Sequence, residues 1–403
     1  MFRRALSSSL REAVIVSAVR TPIGCISGAL SSFTATQLGA LTIRAALEKC
    51  GLSKSEVDEV YMGNVVTAGE GQAPARQAAM FADLPNTVPA STINKVCASG
   101  MKAVMLAAQN IMTGQAECMV AGGMESMSNI PYYVKKARMG YRYGNGVFED
   151  GILTDGLTDV YSQKHMGTFG DLCAEKYGIT REDQDLFART SYERAIDATK
   201  KGLFKQEVVP VSVIKKKGKP PVVVSEDEEL GRVQFDKFAT LRPAFGKKGT
   251  VTAANASSLN DGASSLIVVS REKAERSGLK PLARIVGFAD AAHEPEWFTT
   301  APQLATKKLL KRVGMSIKDI DLFEFNEAFS VVGIVNSRIL DIDMAKVNVY
   351  GGAVAIGHPI GCSGARILTT LLHALIQEDK HIGLAAICNG GGGAGAMMIE
   401  RLA

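Results

Sequence analysis

A mixed α/β fold built from two duplicated halves, with a long segment inserted between them, is what this sequence predicts, and three observations carry the prediction. The first is repetition. Leu47-Glu-Lys-Cys-Gly-Leu-Ser-Lys-Ser-Glu-Val-Asp58 aligns without gaps on Leu310-Lys-Arg-Val-Gly-Met-Ser-Ile-Lys-Asp-Ile-Asp321, 263 positions later. Downstream, Cys97-Ala-Ser99-Gly100 faces Cys362-Ser363-Gly364 with the serines 264 apart, and Ala121-Gly122-Gly123 faces Asn389-Gly390-Gly391 with the glycines 268 apart. Three segments in one order at nearly one offset mark a duplication. The second observation is that short β-branched runs alternate with helical patterns, which implies a largely parallel or mixed sheet covered by helices. The third is a change of texture from about Asn129 to Lys248, richer in tyrosine and carrying Lys215-Lys-Lys217 and Glu226-Asp-Glu-Glu229. That stretch is too long for a simple connection.

Each element follows in chain order. Residues 1–11 contain Arg3, Arg4, Arg11 and three serines, with no acid before Glu12, and are expected to target the chain to the mitochondrial matrix; a frayed basic terminus is the alternative. The final Glu-Arg-Leu-Ala is not a peroxisomal signal. The first half is assigned 12–128 plus 249–279, with strands over 14–16, 57–61 and 118–121. Its helix over 101–112 is apolar on most of its circumference and should be buried. In both copies of the 12-residue repeat a helix ends at a glycine, a serine opens a turn and a strand follows. The inserted domain is assigned 129–248, after which the turn-rich stretch 252–262 leads into a strand over 265–269. The second half, 280–403, is expected to contribute strands over 322–325, 347–349 and 382–387.

Composition excludes several classes. The net charge of +5, from 46 basic and 41 acidic residues among 403, is too small an excess for a nucleic-acid surface, although it suits an anionic cofactor locally. A hydrophobic content of 46% with 22% charged residues is that of a globular protein. The seven cysteines are odd in number and form no CxxC or His-spaced cluster, so reduced thiols are the simpler account and no zinc site is expected. Every long apolar run is broken by charge or glycine before the roughly 18 residues a bilayer span needs, so no membrane association is expected.

Four segments carry the chemistry. Cys97 follows the strand-like Ser91-Thr-Ile-Asn-Lys-Val96 and directly precedes the buried helix, where free amides and the helix dipole should lower a thiol's pKa and make a thiolate nucleophile. A small buried hydrophobe is the bland alternative for any one cysteine. In the second half, Gly351-Gly-Ala-Val-Ala-Ile-Gly357-His358-Pro359-Ile-Gly361 confines a histidine in a glycine-rich turn at the place equivalent to just before Cys97, suited to presenting an imidazole. Cys388-Asn389-Gly-Gly-Gly-Gly393 follows a strand end, as Ala121-Gly122-Gly123 does in the first half, so Cys388 should stand beyond the sheet's edge next to amides free to bind an oxyanion. A phosphate loop is the competing reading, but the Lys-Ser/Thr ending is missing. Asn326-Glu327-Ala328-Phe329 ends another strand, where Asn326 either faces the same edge or caps the next helix.

Together these segments resemble the thiolase family: Val96-Cys97-Ala-Ser-Gly100, Asn326-Glu-Ala-Phe329, Gly357-His358-Pro-Ile-Gly361 and Cys388-Asn-Gly-Gly-Gly-Gly393 match its four active-site signatures in order, and the similarity runs from about Glu12 to Ala403. The resemblance implies a thiolase-like fold: two βαβαβαββ halves layered α-β-α-β-α, with an inserted CoA-binding loop domain, in a homotetramer. It implies a reversible Claisen condensation of two acetyl-CoA to acetoacetyl-CoA and CoA, or thiolysis of short-chain 3-ketoacyl-CoA, in ketone-body, isoleucine or fatty-acid metabolism. It carries over roles: Cys97 takes the acyl group in a ping-pong cycle, His358 activates it, and Cys388 is acid and base. Asn326 holds a water in one oxyanion hole, while the amides of Cys97 and Gly390 form the other. Coenzyme A contacts fall on His165, Met166, Tyr192, Arg232, Lys237, Ser257 and Phe298, and a potassium ion on Tyr192, Ala253, Ala254, Ala256 and Val354. No redox cofactor and no catalytic divalent metal are implied. Thr299 stands where the mitochondrial branch has proline, which bears on use of 2-methyl-branched substrates. A decarboxylating ketoacyl synthase would pair one cysteine with two histidines, or with a histidine and an asparagine, and Cys388 argues against it. A non-catalytic acyl-CoA-binding protein is disfavoured by the intact Cys97, His358 and Cys388.

Overall fold

Ten strands form one twisted mixed sheet in the computed structural model, which describes residues 10–214 and 218–402. The strands are β1 (Ala13–Arg20), β2 (Gly24–Cys25), β3 (Glu59–Gly63), β4 (Ala90–Ile93), β5 (Cys118–Ser126), β6 (Asn260–Ser270), β7 (Ala283–Ala292), β8 (Leu322–Phe325), β9 (Ile382–Asn389) and β10 (Gly393–Arg401). They run in the order β8-β9-β10-β7-β1-β6-β5-β3-β4, with β2 paired to β6. The pairs β3–β4, β3–β5 and β8–β9 are parallel and the rest antiparallel. Two residue pairs, Val14–Arg284 and Ile15–Ala283, join the halves at the β1–β7 boundary. The targeting segment lies, but for its last two residues, outside the described residues, as does Lys215-Lys-Lys217.

Strand alternation decides the layering. Ala13 and Ile15 of β1, Met119 and Ala121 of β5, and Leu266 and Val268 of β6 enter one core, whereas Val14, Val16, Val120, Ile267 and Val269 enter another. The second half repeats this: Leu322, Ala385, Ile387, Met397 and Ile399 join the first core, and Phe323, Phe325, Leu384, Ala386 and Met398 a third. Three cores need three helical layers. Helices α1 (Ala35–Cys50) and α2 (Pro74–Phe81) cover the outer face of the first half. Two buried helices, α3 (Ser99–Met112) and one at Ser363–Gln377, fill the shared core. Between them in sequence come α4 (Met166–Tyr177), α5 (Arg181–Lys201), α6 (Ala301–Val313), which covers the outer face of the second half, and α7 (Ser330–Leu340); the helix at Ser363–Gln377 is α8. The order is α-β-α-β-α, and both faces of each half-sheet are buried, which is why its strands read as apolar runs.

The repeat survives in three dimensions. Helix α1 ends at Gly51 and α6 at Gly314, both left-handed, and Ser53 and Ser316 then each close a capping box on a single turn before β3 and β8. The central helices cross at equivalent glycines. A Cβ on Gly100 would lie 2.8 Å from the Ala365 amide nitrogen, and one on Gly364 would overlap the Met101 backbone. That approach brings the two helix starts, and so Cys97 and His358, to one place.

Three expectations are corrected. Residues 347–349 are not a strand: Val347 makes one bridge to Phe323, and Asn348 turns left-handed (φ 48°). The Asn348 side chain substitutes for a strand residue, accepting from Phe325 N at 2.9 Å and donating to Phe325 O at 2.9 Å. Gly122 and Gly123 lie inside β5, which runs on to Ser126, because their missing side chains admit Ser264 and Gly361 carbonyls. Cys388 is likewise inside β9, paired to Ala394, and not beyond the sheet's edge.

Candidate active site

Cys97 sits in a strained turn between β4 and α3. Val96, a β-branched residue, is held at φ 49°, a conformation that costs about 1–3 kcal/mol and persists only where the surroundings enforce it. The enforcement comes from Ser99, whose hydroxyl accepts from Lys95 N at 2.8 Å and donates to Val96 O at 2.6 Å. Asn94 Oδ1 accepts from Val96 N at 2.9 Å.

His358 is held by the other helix start. Its backbone N–H donates to Asn260 Oδ1 at 2.8 Å, and Gly357 before it has φ 112°, with no room for a Cβ against Asn260. Ser363 Oγ donates to Pro359 O at 3.0 Å and lies 2.6 Å from His358 Nδ1. With that hydroxyl proton committed, Nδ1 carries the ring proton and Nε2 is left with its lone pair, facing Asn326 Nδ2 at 3.4 Å. Burial first, then the charge of Arg366, hold the imidazole at about 3, so it is neutral. Asn326 caps no helix, and its buried Oδ1 has no partner among the described residues.

Glu125 locks the two halves together at this point. Its buried carboxylate accepts from Val65 N (2.9 Å) and Val66 N (3.1 Å) in the first half and from Gly361 N (2.9 Å) in the second. Burial pushes it up to about 7 in spite of those bonds.

The expected low thiol pKa at Cys97 is not what this environment produces. Burial pushes the thiol up to about 11, against the opposing pull of the Gly390 and Cys97 amides. Desolvation outweighs two amides and a helix that begins two residues later. Cys97 therefore rests as a thiol on the same cavity as a neutral imidazole, so that if it attacks, its ionisation must accompany the attack and is not complete beforehand. Cys388 is fully buried below, packed with Met166, Phe298 and Phe329, and burial raises its thiol further.

Cys97, His358 and Gly390 open onto one cavity of about 460 Å³, whose wall also includes His165, Met166, Ser257, Phe298, Ala253 and Ala256. His165 accepts from Gly167 N at 3.0 Å through Nδ1 and stacks on Phe245 at 4.5 Å. Phe298 packs edge-on to Phe169 and Phe329. Ser257 donates to Ala328 O at 2.9 Å. Tyr192 is not on this wall: it is buried against Phe235 and Phe238, in the same core cluster as Ala254 and Val354. Arg232 and Lys237 are exposed, also off the wall, on the segment that follows the wall residue Glu229. Sequence reasoning missed Ser363, Asn260 and Glu125 as parts of the site. The repeat held a signal for Ser363, since it is the equivalent of Ser99.

Comparison with known proteins agrees with this geometry. Residues 13–272 match the model of the thiolase N-terminal domain and residues 279–401 that of the C-terminal domain. The mitochondrial acetyl-CoA acetyltransferase of Bos taurus is 55% identical over 395 residues, covering 98% of this chain and 92% of that one. The cytosolic acetyl-CoA acetyltransferase ERG10 of Gibberella zeae is 51% identical over 395 residues, covering 98% and 100%. The Ascaris suum thiolase Acat5, crystallised with coenzyme A, superposes with a TM-score of 0.92 at 44% identity, covering 97% and 100%. The Bacillus anthracis acetyl-CoA acetyltransferase gives 0.95 at 42%, covering 98% and 100%. A cysteine and an imidazole opening onto one cavity with a second cysteine buried beneath it, in a chain matched by the two domain models over residues 13–272 and 279–401, leave one assignment: the chain belongs to the thiolase family of acyltransferases.

Proposed function

We propose that this chain is an acetyl-CoA C-acetyltransferase, making acetoacetyl-CoA and CoA from two acetyl-CoA, or running the thiolysis in reverse. The observation that carries the reading is the single cavity shared by Cys97, His358 and Gly390, with Cys388 packed beneath it. In the first half-reaction the Nε2 lone pair of His358 takes the Cys97 proton as Sγ attacks the thioester carbonyl. The amides of Gly390 and Cys97, already directed at Sγ, stabilise the developing oxyanion. CoA departs with a proton from Cys388. In the second half-reaction the Cys388 thiolate so formed removes an α-proton from the second acetyl-CoA. The enolate oxygen is held by His358 together with a water on the unpartnered Oδ1 of Asn326; the enolate carbon attacks the acetyl-Cys97 carbonyl, the bond to Sγ breaks, and the Cys97 thiolate takes back the proton that His358 has carried.

His165, Met166, Ser257 and Phe298 would line the pantetheine and acyl end, and the exposed Arg232 and Lys237 suit the phosphates of CoA. A potassium ion fits the oxygen donors of Tyr192, Ala253, Ala254, Ala256 and Val354. Nearby, the buried carboxylate of Glu327 accepts from Ser191 Oγ (2.8 Å) and Val354 N (3.1 Å), a negative field that favours a monovalent cation. Such an ion would neutralise buried charge and stiffen the wall. A homotetramer is supported by the hairpin of Tyr132–Tyr133 with Glu149–Asp150 and its connection, which expose Met139, Tyr143, Val147 and Phe148. The basic, serine-containing first residues support a mitochondrial location. The test is to incubate the chain with acetyl-CoA, trap the acyl-enzyme, and map the label. Acetate on Cys97 and production of acetoacetyl-CoA are expected; a label elsewhere, or none, rejects the reading.

A further inference from the structure

Behind the imidazole lies an ion pair that no step above uses. Glu324 on β8 and Arg366 on α8 are each 1% exposed, with Arg366 Nη1 3.5 Å from Glu324 Oε2. None of their five polar side-chain atoms has a hydrogen-bond partner among the described residues. A buried pair recovers its desolvation cost only when further hydrogen bonds satisfy its remaining donors and acceptors. This pair lacks them, so stability does not account for it.

Its register does. Glu324 stands two residues before Asn326, on the same face of the strand, and Arg366 stands one helical turn after Ser363, on the same face of the helix. Asn326 and Ser363 are the two partners of the His358 ring. The strand and the helix are therefore linked by two rungs, Asn326–His358–Ser363 above and Glu324–Arg366 below. Resting on the reading given under Proposed function, we infer that Arg366 and Glu324 are positioning residues for acyl transfer: the pair fixes the β8 end, which carries Asn326, against the α8 start, which carries Ser363, and so holds the His358 ring between them.

The other charges in range are consistent with this division. Arg366 acts on His358, on Glu327 at the strand end and on Cys362 in the turn, while Glu324 is also in the field of Glu327, Glu207 and Arg194. Burial pushes the Glu324 carboxyl up against the opposing pull of Arg366, so removing the guanidinium leaves a carboxyl that protonates and does not replace the lost positive charge with a bare negative one. Burial, the larger of the two causes, still holds His358 neutral, and the loss of the guanidinium moves it upward only in part.

The experiment follows the ring nitrogens of His358 by NMR as pH is lowered, in the full-length chain with labelled histidine, beside steady-state thiolysis of acetoacetyl-CoA. Arg366→Met is expected to raise the His358 midpoint and to lower kcat about tenfold with KM nearly unchanged. Arg366→Lys should restore the midpoint and most of kcat. Glu324→Gln, which leaves the guanidinium uncompensated, should lower kcat without raising the midpoint. The double variant Glu324→Leu/Arg366→Met should fold with a Tm no lower than native and still show the kcat loss. Native kcat together with a native His358 titration in the double variant would overturn the inference. So would failure of both the double and the Lys variants to fold, which would make the pair structural. A native chain that transfers no acetyl group would reject the proposed function instead, and the ring titration would still decide the pair.

Discussion

Ser363 Oγ lies 2.6 Å from His358 Nδ1 and has its own proton committed to Pro359 O. One hydroxyl thus fixes which ring nitrogen keeps its lone pair and would serve as the proposed base, and Ser99, its equivalent in the first half, fixes the turn that presents the proposed nucleophile. Ser363→Ala leaves Nδ1 without an acceptor, so the other tautomer, with a proton on Nε2, becomes accessible. We expect kcat for thiolysis to fall about ten- to a hundredfold, the size of a general-base contribution, with KM little changed and Ser363→Thr near native. Steady-state rates on the three proteins check this, and an unchanged kcat in the alanine variant contradicts the tautomer assignment.

The neutral imidazole also has a stability consequence. Burial and Arg366 hold folded His358 at about 3, against 6.5 for an ordinary histidine. Above pH 6.5 neither folded nor unfolded chain binds this proton, so the full contribution is present. As pH falls through 6.5 the unfolded chain takes up the proton and the folded chain does not, and stability is lost by about 1.4 kcal/mol per pH unit until the folded value is reached. His358→Asn should therefore show a shallower decline of Tm between pH 6.5 and 4. Part of the decline should remain, because burial lowers His373 as well. Parallel Tm curves for native and variant would show that some other group governs acid denaturation.

The crossing of α3 and α8 makes a third prediction. A Cβ at position 100 would meet Ala365 N at 2.8 Å and Gly361 O at 3.0 Å, both backbone atoms that cannot yield alone. Gly100→Ala should push the helix starts apart, costing about 1–3 kcal/mol of stability. Activity should fall far more than a stability loss of that size explains, since Cys97 and His358 hang from the two displaced starts. Chemical denaturation alongside thiolysis rates tests this, and a destabilised variant with native kcat would uncouple the crossing from the chemistry.

What the sequence made legible was local. Cys97 and His358 could be read because each is flanked by residues that make poor core: a glycine three positions after one, glycines and a proline around the other. The duplication could be read because its glycine caps and serine turns recur at one offset. Asn348 misled because a side-chain amide completing a strand looks, in sequence, like a β-branched run. The thiol pKa was misjudged because a dipole is visible from the position of a helix, whereas burial in the folded chain and the nearby charge of Glu125 are not. Arg366 and Glu324, 42 positions apart, carry no local signature at all. Only the packing of α8 on β8 brings them beneath His358.

Cys388→Ala should separate the two half-reactions. Acylation needs an attacking sulfur, a base for its proton and a place for the oxyanion, and in the proposed mechanism those are Cys97, His358 Nε2 and the amides of Cys97 and Gly390. None of them is on Cys388, whose thiol is buried and raised well above the ordinary cysteine range. A thiol so weakly acidic holds its proton until CoA leaves as a thiolate, and having given that proton up it is a strong base for an α-proton. The variant should still acquire an acetyl group on Cys97, more slowly because the leaving thiolate must find its proton in solvent. It should not exchange the methyl protons of acetyl-CoA with deuterium, and acetoacetyl-CoA synthesis should drop by at least about a hundredfold. Mass spectrometry of the acyl-enzyme and proton NMR of acetyl-CoA in deuterated buffer read the two halves separately. If the exchange runs at the native rate, the α-proton base is another group, and His358, which lines the same cavity, is the next to test by His358→Asn.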